Sequence, residues 1–353
     1  MKILVATDAW HPQVNGVVRT LGHVAREASM LGVELEFLSP DQFRTLPMPS
    51  YPEIRLALVT AGYVERRLDH SQPDAIHVAT EGPIGHAMRR ACLRRGLPFT
   101  TSFHTRFPDY FAERLPIPES WTREATWVWL RRFHAPGAAV LAATLTLSSE
   151  LTTRGFKNVK LWPRGVDADL FCPRGHTDLN LPRPIFLTVG RLAVEKNLEA
   201  FLKLDLPGTK LVVGDGPARN GLARRFPDAV FIGSMHGQAL AEIYAAADVF
   251  VFPSRTDTFG LVLLEALASG VPVAAFPAAA PRDVIGETHV GVLDEDLRRA
   301  CLGALDCSRD ECRNFALGMT WAKSARIFLD QVTQAAWSGR RQAAFNAALP
   351  ANG

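Results

Sequence analysis

At 353 residues the chain exceeds what a single hydrophobic core of about 250–300 residues supports, and it suits two domains. A composition of 47% hydrophobic and 21% charged residues, with mean hydropathy +0.03, excludes a disordered chain, a collagen and a disulfide scaffold. The net charge of +3 is too small for a nucleic-acid binder, whose affinity needs clustered Lys and Arg to displace counterions.

Short apolar runs alternate with helix-period segments along most of the chain. Ile3–Ala6 reads as a buried strand, followed by Val17, Val18, Leu21, Val24, Ala25, Ala28 and Leu31 at helical spacing, ended by Gly32. Val33–Leu38, Asp74–Val78, Pro98–Phe103 and Thr144–Leu147 read as further strands, with helices such as Ile84–Arg95, closed by Gly96, between them. Pro163, Pro173, Pro182 and Pro184 then punctuate a stretch of little periodicity that suits an interdomain connection. Beyond it the alternation restarts with Ile185–Val189, Lys210–Val213, Val230–Ile232, Val249–Phe252 and Val271–Ala275. Trp321–Trp337 is helical in pattern and is expected to pack across the domain boundary. Strand–helix alternation argues parallel sheets covered on both faces, hence an α/β protein of two doubly wound domains. In such sheets ligands bind beyond the carboxyl ends of the strands, so two facing domains are expected to make one cleft.

The five cysteines (Cys92, Cys172, Cys301, Cys307 and Cys312) show neither a CxxC pair nor zinc-finger spacing and are expected to be reduced thiols of a cytosolic protein. MKILVATDAW enters a strand-like run with no basic n-region, so no signal peptide is expected. No window approaches the ~20 apolar residues of a membrane span, so work at a membrane is expected from its cytosolic side. Residues 1–163 carry 19 Lys and Arg against 15 Asp and Glu; residues 164–353 carry 20 against 21. Any anionic surface is therefore expected to meet the first half.

Four loops carry candidate chemistry. Asn15-Gly16 stands where the chain turns into a helix, either an ordinary tight turn or an anion site built from free N–H groups. Gly190-Arg191 and Lys196 follow a strand and approach the next helix start, where two cations suit a diphosphate, or make a solvated surface pair. Gly214-Asp-Gly216-Pro is a second glycine turn, which by itself is open to a purely local reading. The fourth, Phe252-Pro-Ser-Arg-Thr-Asp257-Thr-Phe259-Gly260-Leu-Val-Leu-Leu-Glu265, sets one carboxylate on a loop and a second eight residues on in a helix. Both suit the vicinal hydroxyls of ribose or hexose.

This last segment resembles the E-x7-E region of family-4 retaining glycosyltransferases of GT-B fold, with Asp257 in the first Glu position. Gly190-Arg191…Lys196 resembles the family's basic pair and Gly214-Asp-Gly-Pro its nucleotide-binding turn. Arg164-Gly-Val-Asp167…Phe171 resembles its interdomain GVD segment, and Val14-Asn-Gly-Val-Val-Arg-Thr20 its N-terminal glycine loop. Ser102-Phe-His104-Thr-Arg-Phe-Pro108 is similar to the FHT segment of the subgroup holding GDP-mannose-dependent α-mannosyltransferases and sulfoquinovosyl- or glucosyl-diacylglycerol synthases. The matches run in family order over roughly residues 1–285. The shorter Asp257 is a departure from the commoner Glu, read as a mark of that subgroup.

The resemblance implies two Rossmann-like domains: an acceptor-side domain over 1–163, onto which a helix at about 321–340 packs back, and a nucleotide-sugar domain over 164–320. It implies transfer of a hexose from a nucleotide-diphosphate sugar to an acceptor hydroxyl with retained anomeric configuration. The departing phosphate takes the acceptor's proton. Arg191 and Lys196, with the Gly16 N–H, would stabilise the diphosphate; Asp257 would orient sugar hydroxyls and Glu265 the ribose. His104 would stand at the reacting carbon, or be a cleft histidine satisfied by a carbonyl. Asn15, Gly190, Gly214, Gly216, Phe259 and Gly260 complete the implied donor site. Asp167-Ala-Asp169 reads as a turn cap rather than a DxD metal motif, so neither metal nor cofactor is expected.

Trp121, Trp127, Trp129, Arg123, Arg131, Arg132 and Phe133 crowd one helix, beside Arg89, Arg90, Arg94 and Arg95 on another. Cations with aromatics suit an anionic membrane interface and a lipid acceptor, unless the tryptophans are core and the arginines a solvated face. A sugar acceptor in polysaccharide assembly is the alternative. A sugar-nucleotide epimerase or a silent nucleotide-sugar binder fits the full set of polar residues less well.

Overall fold

The computed structural model describes residues 1–13, 15–48, 51–112, 118–174 and 179–348; Val14 of the first-loop motif lies outside them. The chain divides into two compact units, one of Met1–Pro163 with Ala322–Gly353 and one of Arg164–Trp321.

In unit 1 the elements run β1 (Lys2–Ala6), α1 (Gly16–Met30), β2 (Glu34–Leu38), the antiparallel hairpin β3 (Thr45–Met48) and β4 (Tyr51–Ala57), α2 (Ala61–Ser71), β5 (Ala75–Val78), α3 (Pro83–Arg95), β6 (Thr100–Phe103), α4 (Phe107–Ala112), α5 (Glu119–His134), β7 (Ala139–Ala142), α6 (Leu145–Thr153) and β8 (Val159–Leu161). Six strands form a parallel sheet in the order β2-β1-β5-β6-β7-β8. Successive residues of a strand point to opposite faces, and β1 is apolar on both because both are covered. Ile3 and Val5 join Leu21, Val24 and Ala28 on one side, whereas Leu4 and Ala6 join Val64, Leu68, Met88 and Cys92 on the other.

Unit 2 follows with β9 (Ile185–Val189), α7 (Leu198–Leu202), β10 (Thr209–Val213), α8 (Arg219–Arg225), β11 (Val230–Gly233), α9 (Gly237–Ala246), β12 (Val249–Phe252), α10 (Leu261–Ala268), β13 (Val273–Ala275), α11 (Ala279–Val284), β14 (Gly291–Leu293), α12 (Leu297–Ala304) and α13 (Arg309–Leu317). Its parallel sheet runs β11-β10-β9-β12-β13-β14. Phe186, Val212, Val251 and Ala274 from four neighbouring strands build one core layer against Phe201, Leu222 and Cys301.

The last helix, α14 (Trp321–Ala348), extends past the Trp337 limit of its pattern and returns to unit 1. Ala325, Phe328, Leu329 and Val332 pack with Trp162 over β1 and α1. The Trp162 indole N–H donates to the Ser324 carbonyl at 3.2 Å, and the Ser324 hydroxyl donates to the Pro163 carbonyl at 2.7 Å.

One expected strand is corrected. Thr144–Leu147 begins a helix, because the Thr144 hydroxyl caps the Leu147 N–H at 3.3 Å; the strand lies just before it, in Ala139–Ala142. The β3–β4 hairpin, β8 and β14 were not expected from the sequence. All five cysteines are free, and burial pushes the Cys92, Cys301 and Cys312 thiols up to about 12, which makes them poor nucleophiles at neutral pH. No described helix is long and apolar enough to cross a membrane.

Candidate active site

In unit 2 the chain runs outward from β9 through β10 to β11, then returns to place β12 on the other side of β9. Ligands of doubly wound sheets bind beyond the carboxyl ends of the strands at such a reversal. The loops following β9 and β12 therefore define the candidate site, and they carry Gly190, Arg191, Lys196 and Asp257.

These loops are laced together. A 3-10 turn, Val194–Lys196, follows β9, and Asn197 closes it in the left-handed region at φ 51°. The Asn197 side-chain amide donates to the Pro253 carbonyl at 3.1 Å, and the Thr256 hydroxyl donates to the Glu195 carbonyl at 3.3 Å. The lacing brings Lys196 Nζ to 2.5 Å from Asp257 Oδ1, with the two side chains 30% and 19% exposed. Burial resists ionisation of Asp257, but the Lys196 charge and hydrogen bond, with the Ser254 hydroxyl, outweigh it. The carboxyl is held below its usual range, so it is an anion at neutral pH. Asp257 Oδ2 is buried and has no hydrogen-bond partner among the described residues. Leaving a buried acceptor unmet costs about 1–3 kcal/mol, which a ligand hydroxyl placed there would recover.

The glycine turns explain one another. A Cβ on Gly214 would stand 1.9 Å from the Gly190 carbonyl oxygen, and Gly214 also has φ 138°. Gly190 N–H donates to the Val213 carbonyl at 3.0 Å and Leu192 N–H to the Asp215 carbonyl at 2.8 Å, so the turns after β9 and β10 pack backbone on backbone. Gly216 is confined in the same way, its Cβ position 2.5 Å from the Leu192 carbonyl oxygen. Local packing thus accounts for Gly214 and Gly216. Gly190 is different: a Cβ there would meet nothing within 4 Å.

Gly260 opens α10 at φ 80° and Phe259 is buried beside it. One turn further, Glu265 is 2% exposed, and its Oε2 accepts a hydrogen bond at 3.1 Å from the hydroxyl of Tyr244 on α9. Sequence reasoning missed Tyr244. Its signal was a lone phenol among the apolar residues of α9, since a buried tyrosine hydroxyl has to find a partner.

In unit 1, His104 follows β6, half-buried, its ring edge-on to Trp162 at 5.8 Å. The helix start at Asn15-Gly16 needs correction: Asn15 Oδ1 itself accepts from the Val17 and Val18 N–H groups, both at 3.0 Å. The Asn15 side chain and two N–H groups of the helix start are thus spent on capping α1, as an Asn in that position does, and the Gly16 N–H is not one of the two. Asp167 Oδ1 accepts from the Leu170 N–H at 3.0 Å, a turn cap.

Reading for motifs also missed Asp8, at the carboxyl end of β1, where the unit 1 sheet reverses. Its carboxyl accepts from the Ile84 N–H at 2.8 Å, the Gly85 N–H at 3.2 Å and the Thr80 hydroxyl at 2.9 Å, and so caps α3 from 76 residues away. Burial outweighs these bonds, and with nearby Glu81 it pushes Asp8 up to about 6. Beside it Glu81 meets His134 Nε2 at 3.1 Å, both buried.

The aromatic and basic helix is also corrected in part. Trp127 is 4% exposed and Trp129 packs on Phe107, which leaves Trp121, 75% exposed, as the one large exposed aromatic of α5. Arg89 donates to the Phe133 and Arg132 carbonyls at 2.8 Å, Arg123 pairs with Asp109, Arg95 with Glu65 and Asp69, and Arg131 donates to the Arg154 carbonyl. Arg94, Arg95 and Arg123 are thus ion-paired within the unit, and Arg89 and Arg131 spend donors on its carbonyls.

Comparison with known proteins adds a separate line. Residues 14–170 match the family model described as Glycosyltransferase Family 4, and residues 183–306 match that of Glycosyl transferases group 1. The chain is 32% identical over 318 residues to a GDP-mannose-dependent alpha-mannosyltransferase of Mycobacterium tuberculosis, covering 83% of each chain. It is 32% identical over 267 residues to the sulfoquinovosyl transferase SQD2 of Arabidopsis thaliana, covering 70% of this chain and 51% of that one. Among solved structures, the sucrose-phosphate synthase of Thermosynechococcus elongatus superposes with a TM-score of 0.72 at 19% identity, covering 99% of this chain and all of that one, a likeness of fold.

Proposed function

Since the chain belongs to glycosyltransferase family 4 and has the two Rossmann-like units of the GT-B fold, we propose that the loops after β9 and β12 bind a nucleotide-diphosphate hexose and transfer its sugar with retention. The observation that carries this reading is the Lys196–Asp257 pair at the strand-order reversal, a cation and an ionised carboxylate side by side with Asp257 Oδ2 unmet. A diphosphate sugar offers both complements, phosphate oxygens for the ammonium and ring hydroxyls for the carboxylate.

Arg191 and Lys196 then hold the diphosphate and stabilise the charge it gains as the bond to the anomeric carbon lengthens. Asp257 takes a sugar hydroxyl on Oδ2, and Glu265 takes the ribose. The clear space at Gly190 leaves room for phosphate oxygens to approach the backbone. The acceptor oxygen attacks from the face that the phosphate leaves, and its proton passes to the departing phosphate oxygen. His104 is assigned to the reacting carbon and the Gly16 N–H to the diphosphate on the family resemblance alone. No metal enters this scheme.

A mannosyl donor is the first choice, on the likeness to the mycobacterial enzyme, and a membrane glycolipid or diacylglycerol the first acceptor, on the likeness to SQD2. The protein then works at the cytosolic face of a membrane. A free sugar acceptor is the second reading, favoured by the internal engagement of the arginines around α5.

The test is a panel of labelled nucleotide-activated mannose, glucose and sulfoquinovose, incubated with lipid extract, with soluble sugars or with water, each with and without chelator. Label in the lipid phase, unchanged by chelator, is expected. Label only in soluble sugars selects the second acceptor; none with any donor defeats the transferase reading. Loss in chelator that manganese or magnesium restores overturns metal independence.

A further inference from the structure

We propose that Tyr244 is a positioning residue whose hydroxyl sets the Glu265 carboxylate for the ribose diol of the donor, a role resting on the assignment of Glu265 to the ribose. The Tyr244 hydroxyl lies 3.1 Å from Glu265 Oε2, and the two residues are 0% and 2% exposed. A tyrosine hydroxyl donates to a carboxylate, so it holds Oε2 in place and fixes the plane of the Glu265 carboxylate. A free glutamate would lose its rotamer freedom when a diol docks; a carboxylate already held loses less, and binding tightens accordingly.

The surroundings of the pair are built to hold it. The Tyr244 ring is edge-on to Phe171 at 5.6 Å and tilted against Phe250 at 5.7 Å. Tyr244 and Glu265 each stand about one turn before the end of their helix, and α13 grips both ends. Arg309 donates to the Ala245 carbonyl of α9 at 3.1 Å and to that of Ala247, just past its end, at 2.8 Å. Arg313 donates to the Ala268 carbonyl of α10 at 2.8 Å, and also to the Phe171 and Ala168 carbonyls at 2.7 and 3.0 Å. Two guanidinium forks thus set the helices that carry hydroxyl and carboxylate.

Tyr244→Phe removes the hydroxyl and keeps the ring. With an ordinary donor its KM should rise about 10- to 100-fold, the size of a lost hydrogen bond to a charged group, while kcat stays within about twofold. With a donor whose ribose lacks the 2′ and 3′ hydroxyls, wild type and variant should bind alike within about twofold. An unchanged donor KM, or an equal loss with both donors, overturns the role. If Tyr244→Phe does not fold, Arg313→Lys takes its place. It should raise donor KM about two- to fivefold with the ribose donor and leave the deoxy donor unaffected, and an equal effect on both overturns the role. Glu265→Gln separates this role from its premise: if its loss is the same with both donors, Glu265 does not meet the ribose and the premise has failed.

Discussion

Asp8 and Asp257 stand on opposite flanks of the strand-order reversal in their respective units. Each stands just beyond the carboxyl end of a parallel strand that borders the reversal of strand order, β1 beside β5 and β12 beside β9. Their chemistry is opposite. Asp8 is turned inward onto the start of α3, meets two N–H groups and a hydroxyl but no cation among the described residues, and is pushed up to about 6. Asp257 meets the Lys196 ammonium, keeps one oxygen unmet and is held below its usual range. Placement at a reversal therefore does not make a carboxylate part of a binding site. The company of a cation and an oxygen unmet among the described residues are what set Asp257 apart as the candidate.

The comparison can be broken at its backbone supports. A Cβ on Gly85 would stand 1.9 Å from the Thr80 carbonyl oxygen, as one on Gly214 would from that of Gly190. Gly85→Ala and Gly214→Ala should each cost about 3 kcal/mol or more in unfolding free energy, since backbone has to move in both. A loss under about 1 kcal/mol by denaturant titration, for either, would show that the close approach is not required.

Function separates the two places next. Arg191→Ala should reduce turnover by at least about 100-fold, the usual size for losing a donor to developing transition-state charge. Turnover within threefold of wild type would remove Arg191 from that role. Asp8→Asn, at the other reversal, should leave kcat within a few-fold.

The smallest effect is the sharpest discriminator. An unfolded aspartate titrates near ~3.9, below the folded Asp8 and above the folded Asp257. Between about pH 4 and 6 the folded protein holds more proton on Asp8 than the unfolded chain does, so this group adds stability as pH falls through that window. The gap between wild type and Asp8→Asn should shift in favour of wild type on acidification, by at most about 1.4 kcal/mol per pH unit. Asp257 contributes stability above about pH 4 that is lost as pH falls through its lower folded value. The gap between wild type and Asp257→Asn should therefore stay flat from pH 7 to 5 and move against wild type below 4. Urea titrations across that range give both slopes, and slopes of the same sign would collapse the distinction.

Apolar runs such as Ile3–Ala6 and Ile185–Val189 announce buried parallel strands by themselves, because a strand covered on both faces is mostly apolar, with Thr188 the one polar residue of the two runs. The loops holding Arg191, Lys196 and Asp257 stood out by residue type, since cations and a carboxylate beyond the carboxyl ends of parallel strands lie where ligands of such sheets bind. The short Ala139–Ala142 strand was not, since alanines fit strand and helix alike and the Thr144 cap decides where the helix begins. The site itself divides in the same way. Residue type and spacing marked Asp257 and Glu265 as acceptors for hydroxyls, but spacing carries no direction. Only the folded chain seats Asp8 on a helix 76 residues away, spends Asn15 on its own helix, answers Arg123 with a carboxylate and Arg131 with a carbonyl, and sets the Tyr244 hydroxyl against Glu265. Each of those outcomes depends on which unsatisfied polar group lies within about 3 Å, and tertiary packing alone determines that distance.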